Sequence, residues 1–143
     1  MPLTLFSTVA YDVGWVDNYS PDRVPMIEAY EGHYVKALLA ACLELATGWP
    51  ARIVPGESIA FGNKFISLDA DSRAAIQFPQ RDEIDYISLV DFLKAGPRPE
   101  VKDKIVIIGL DTGAMARVHT PIGDVKAHRA FYYALLSLSR LVE

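Results

Sequence analysis

The chain has 143 residues, 51% of them hydrophobic, with a mean hydropathy of +0.17, a formal net charge of −4 and a pI near 5.3. That length suits one domain with a single core, the composition excludes a disordered chain, and the acidic balance argues against a nucleic-acid-binding surface. The single cysteine, Cys42, leaves no intrachain disulfide and no cysteine-based metal site.

Residues 3–10, LTLFSTVA, read as a strand, broken by Asp12 and Gly14. Pro21-Asp22 is a turn former, since proline presets φ and aspartate caps the turn. Residues 24–30 resume as a strand ending at Glu31-Gly32. Residues 33–47 carry Tyr34, Leu38, Ala41 and Leu45 at helical spacing, with Gly48 at the C′ position and Pro50 beyond it. Lys36 and Glu44 are the only charges in that stretch.

Residues 51–78 are β-rich and broken by turns. Short strands are expected at 52–54 and 58–61, and a hairpin with arms at 65–68 and 74–78 around Asp69-Ala70-Asp71-Ser72. Ser88 and Asp91 resemble a capping box before a short helix through Leu89, Val90, Phe92 and Leu93, stopped by Gly96 and Pro97. Ile105, Val106, Ile107 and Ile108 form an unbroken β-branched run, which predicts a central strand buried on both faces. A last helix is expected from about Asp124, with Ala127, Phe131, Ala134, Leu135, Leu138 and Leu141 on its apolar face. Alternation of strands and helices predicts a single α/β domain with a central mixed sheet flanked by helices.

Candidate chemistry concentrates after the 105–108 run. Asp111 and Thr112 offer an acceptor and a hydroxyl where a strand hands over to a loop, the usual place for ligands in open α/β sheets. Arg117, His119, Thr120 and His128 return the chain to the same end. Gly109 to Gly113 could cradle an anion with backbone N–H groups, and equally could be a tight turn. It matches neither G-x-G-x-x-G nor the Walker form. Trp15 and Tyr19 could stack a small ligand or line the core rim.

Asp69 and Asp71 suggest a calcium loop, but the sixth position is Ala74 and the twelfth Gln80, so a plain turn is the simpler reading. His33, His119 and His128 lack metal-ligand spacing. No nucleophile motif appears, and no cofactor is expected. The enzymatic alternative is a small α/β protein handling a phosphate or nucleotide through residues 109–121.

Several phrases together carry a resemblance. They are Gly14-Trp15-Val16-Asp17-Asn18, the 65–78 segment with Ser72 where glycine is usual, Tyr86/Ser88/Asp91/Leu93/Gly96, and KIVIIG followed by Thr120-Pro121 and the His128-containing helix start. In this order they resemble the CHASE domain of the second type, an extracytoplasmic sensor module of bacterial membrane signalling proteins. In that family an aspartate commonly precedes the Thr-Pro pair, where this chain has Arg117 and its neighbours. The resemblance implies a periplasmic sensory fragment of an inner-membrane protein, separated from its transmembrane segments. The output domain would be a cyclase, histidine kinase or diguanylate cyclase. It implies no catalysis, an unidentified small-molecule or protein stimulus, and a homodimeric parent. The last helix, through Phe131, Tyr132, Leu135 and Leu138, is expected to be shared between the core and that interface.

Overall fold

The computed structural model describes residues 20, 22–81, 84, 86–96, 98–109, 112–113 and 117–143. The expected strand at 3–10 lies outside the described residues, as do Trp15, Tyr19 and Asp111.

The first described strands are β1 (Arg23–Pro25), β2 (Ile27–Tyr30) and β3 (His33–Lys36). β2 and β3 form an antiparallel hairpin closed by Glu31 and Gly32. Both turn residues have positive φ, 48° and 79°, as a type I′ turn requires. The hairpin corrects the expected helix at 33–47. His33 to Lys36 pair with β2, and helix α1 (Leu38–Thr47) begins only after Ala37. The helical spacing of Tyr34 and Leu38 gives way to a tight turn whose twist matches the flanking strands. At the far end Gly48 takes the left-handed conformation, φ 72°, and its N–H donates to the Glu44 carbonyl. Glu44 also ties the helix to its neighbours. Its carboxylate accepts from Lys36 Nζ and from the Ala51 backbone N–H, each at 2.7 Å.

A meander follows: β4 (Ala51–Val54), β5 (Ser58–Phe61) and β6 (Lys64–Ser67), all antiparallel. Ile59, Phe61 and Ile66 face inward and are buried, as period-two alternation dictates. The turn at 69–72 forms where expected, but its arms part. β6 stays with β5, and β7 (Arg73–Ala75) pairs with β1, leaving only a single bridge between Leu68 and Ala74.

Helix α2 (Leu89–Lys94) starts at Ser88, whose Oγ accepts from the Val90 N–H at 3.2 Å; no residue of this helix is buried. Strands β8 (Arg117–Thr120) and β9 (Gly123–Lys126) make a hairpin around Pro121-Ile122, and the long helix α3 (Ala127–Val142) follows directly. The hairpin delays the last helix relative to its expected start near Asp124.

The protein is thus an α/β domain. Its described strands lie in four small antiparallel sheets rather than in one central mixed sheet. Strands of three or four residues joined by tight turns mostly pair with their sequence neighbours. The core lies between α1, α3 and the meander: Leu39, Leu43, Ile59, Phe61, Leu135 and Leu138 meet there with Val24 and Met26. Each large aliphatic side chain buried there stabilises the fold by about 1.5–3 kcal/mol.

One further expectation is corrected. Residues 105–109 form neither helix nor ladder, and Ile105, Val106 and Ile108 are 42, 50 and 72% exposed; only Ile107 packs against the core. A β-branched run reports a preference for sheet, not the presence of neighbouring strands. On α3, Phe131, Leu135 and Leu138 are buried in the core and Tyr132 is exposed. Leu141 faces solvent, and Val142 takes the core position at the end of the helix.

Candidate functional site

One described candidate, His128, stands at the start of α3, and three more, Arg117, His119 and Thr120, lie on the strand β8 of the hairpin that leads into it. His128 lies in the first turn, and Gly109 is packed against its imidazole. A β-carbon built on Gly109 would sit 2.5 Å from His128 Cγ and 2.8 Å from Nδ1, closer than real contacts allow. Glycine is therefore needed at 109 for close approach rather than for a special dihedral. His128 Nδ1 is shut off from solvent with no hydrogen-bond partner among the described residues. Desolvation, then repulsion from Arg129 and Lys126, holds the imidazole pKa below its ordinary value. Lys126, at the N-cap position, makes no side-chain cap, and the first turn carries no acidic residue. The free N–H groups and flanking cations make this helix start electropositive.

The β8–β9 hairpin uses its polar residues internally. Arg117 Nη1 donates to the Asp124 carbonyl at 3.1 Å, and His119 Nδ1 lies 2.8 Å from Asp124 Oδ1. Thr120, 2% exposed, donates its hydroxyl proton to the Gly123 carbonyl at 2.7 Å. These three side chains staple the hairpin to itself. Thr112 is exposed. His128 is the member of the expected set that abuts Gly109, and Asp111 lies outside the described residues.

A groove of about 610 Å³ opens elsewhere, between β2 and the turns at 55–56 and 70–73, with Ile27, Glu28, Tyr34, Asp71, Ser72 and Arg73 on its walls. The sequence carried no signal for it, because Tyr34 reads as part of a buried helical stripe and is in fact 65% exposed on β3. The floor is a rigid turn. Asp69 Oδ1 accepts from the N–H groups of Asp71 and Arg73, while Oδ2 meets Arg23 Nη1 at 3.0 Å. The Arg73 N–H foremost lowers the Asp69 pKa; desolvation opposes it as the next effect in size, and the charge of Arg23 and the Asp71 N–H keep the balance below the usual carboxylate value. The carboxylate that suggested calcium is thus a structural acceptor. Ser72 has φ 60°, and its hydroxyl oxygen accepts from the Gly56 N–H at 2.9 Å.

Among the described residues no three of His, Cys, Asp and Glu gather to hold a metal ion, and no helix is long and apolar enough to cross a membrane. No family model matches the chain, and neither curated proteins nor solved structures provide a match.

Proposed function

We propose that the chain is a sensory input domain of the CHASE type 2 kind, the extracytoplasmic part of a membrane-bound bacterial signalling protein. One observation carries the reading. Two ends of one phrase of the resemblance, the glycine that ends KIVIIG and the histidine at the start of the last helix, touch in space as Gly109 and His128. A larger residue at 109 would collide with the imidazole, which gives a physical reason for a glycine opposite this histidine. A second detail agrees. Ser72 stands where the family usually has glycine, and it adopts the left-handed conformation that glycine favours.

In this role the domain binds a stimulus and shifts the balance between two arrangements of adjoining transmembrane helices. The electropositive start of α3 behind Gly109 suits a small carboxylate or a neutral polar guest. The decisive experiment is to read the gene on both sides of these residues. Transmembrane segments and a cytoplasmic output domain in the same frame support the proposal; a frame with neither sinks it. A thermal-shift screen of small polar metabolites then tests the site, with hits expected to weaken in Thr112→Val and His128→Gln.

A further inference from the structure

The groove beside β2 has an open strand edge along one wall. Glu31-Gly32 is a two-residue turn, so Tyr30 and His33 close the hairpin as a hydrogen-bonded pair. Bonded and non-bonded pairs alternate along an antiparallel ladder, and the Ala37 N–H, donating to the Met26 carbonyl at 2.9 Å, keeps that phase. Ala29, opposite Tyr34, and Ile27, opposite Lys36, fall in the non-bonded class. Their backbone N–H and C=O groups therefore turn away from β3.

On that side the neighbouring ladder stops. β1 pairs with β7 as far as Pro25 opposite Arg73, and the Met26 N–H makes the last link, to the Ser72 carbonyl at 3.1 Å. Beyond it no described strand pairs with the outer edge of β2. The gap between this edge and the turns at 55–56 and 70–73 is the groove, and its volume of about 610 Å³ is usual for a small-molecule site. Ile27 is buried, but Ala29 is exposed, so one N–H and one C=O of the edge are open to a guest. A donor and an acceptor on one residue of a strand edge match the backbone of one residue in an extended peptide.

The walls select the charge of that peptide. Glu28 and Asp71 line the groove against Arg73 alone. Among the described residues neither carboxylate enters a side-chain hydrogen bond or an ion pair, whereas Asp69 is already matched by Arg23. The Tyr34 ring, 65% exposed, offers a face to a cation.

We infer that this groove binds a short extended peptide carrying a lysine or arginine side chain, which pairs with the edge of β2 at Ala29 and sets its cation among Glu28, Asp71 and the Tyr34 ring. The site shares no residue with the start of α3 and stands independently of the sensory reading.

The test is calorimetric titration of the full chain with the blocked peptide acetyl-Ala-Ala-Lys-Ala-Ala-amide. It should bind, and Glu28→Gln combined with Asp71→Asn should weaken it at least about tenfold, as expected for a lost charge-assisted contact. The same peptide with glutamate for lysine should not bind, and methylating the backbone nitrogens of the lysine peptide should abolish its binding. The inference is overturned if the lysine peptide fails to bind at millimolar concentration or is indifferent to the double variant. Equal binding of the glutamate or the N-methylated peptide also overturns it. If the double variant fails to fold, hydrogen exchange of the wild type decides. The Ala29 amide should exchange more slowly with the lysine peptide present, and unchanged exchange overturns the proposal.

Discussion

Gly109 and His128 lie 19 positions apart in sequence and yet leave no room between them for a single methyl group, since a β-carbon on Gly109 would come within 2.5 Å of the imidazole. Gly109→Ala should therefore destabilise the fold by about 1–3 kcal/mol, the usual cost of overpacking. His128→Ala opens the space, so the double variant should be more stable than the sum of the two single effects predicts. A double-mutant cycle by chemical denaturation measures this coupling. A coupling energy of zero would show that the loop simply moves aside.

The same imidazole makes stability depend on pH. Its folded-state pKa is depressed, so the unfolded chain binds more protons in the window between the two values. The contribution is fully present above the ordinary histidine value of about 6.5 and is lost as pH falls through the folded value. His128→Gln should flatten the stability profile in that window. An unchanged slope would assign the titration to other groups.

Asp69 acts in the same direction at lower pH. Its folded pKa is depressed, chiefly by the Arg73 N–H, so its contribution is present above about 3.9 and disappears on further acidification. Asp69→Asn should lower stability at neutral pH and reduce the acid-induced loss. Equal acid sensitivity in wild type and variant would contradict this.

Ser72 separates strain from hydrogen bonding. Its φ of 60° costs an L-residue roughly 1–2 kcal/mol that glycine avoids. Ser72→Ala and Ser72→Gly both leave the Gly56 N–H without its acceptor, but only Ser72→Ala keeps the strain. The alanine variant should therefore be less stable than the glycine variant by about 1–2 kcal/mol. Thermal melts of the pair provide the comparison, and the reverse ranking would refute the strain argument.

Leu138 and Ile108 mark the two extremes of burial, at 0% and 72% exposed. Leu138→Ala should cost about 2–5 kcal/mol through lost burial and a residual cavity. Ile108→Ala should stay within about 0.5 kcal/mol at concentrations where the chain is monomeric. Denaturation midpoints distinguish the two.

What the sequence disclosed was local. Turn chemistry located Gly48, the 69–72 turn and the Ser88 cap, because each depends on a few adjacent residues. Most of the apolar stripe of α3 was legible from its spacing. Pairing partners were not. Nothing near β6 and β7 says that their arms diverge, and nothing in KIVII says which neighbours the run finds. Helical spacing at Tyr34 concealed a hairpin whose determinant was the Glu31-Gly32 turn. At the candidate site, the sequence named His128 but not its contact with Gly109, which depends on how two distant segments pack.

Four of the five described ladders join strands adjacent in sequence, and β1–β7 alone joins distant ones, with Arg23 opposite Ala75. In the order of assembly this ladder comes late. Hairpins close quickly, whereas β1–β7 must first close a loop that contains α1 and the whole meander. Its two strands then bring Arg23 within reach of Asp69. The consequence is a folding barrier set by one closure. Val24→Ala in β1 should speed unfolding while leaving the folding rate nearly unchanged if the ladder forms after the barrier, and slow folding if closure is the barrier itself. The closure model predicts slower folding, and stopped-flow measurement of both rates decides it.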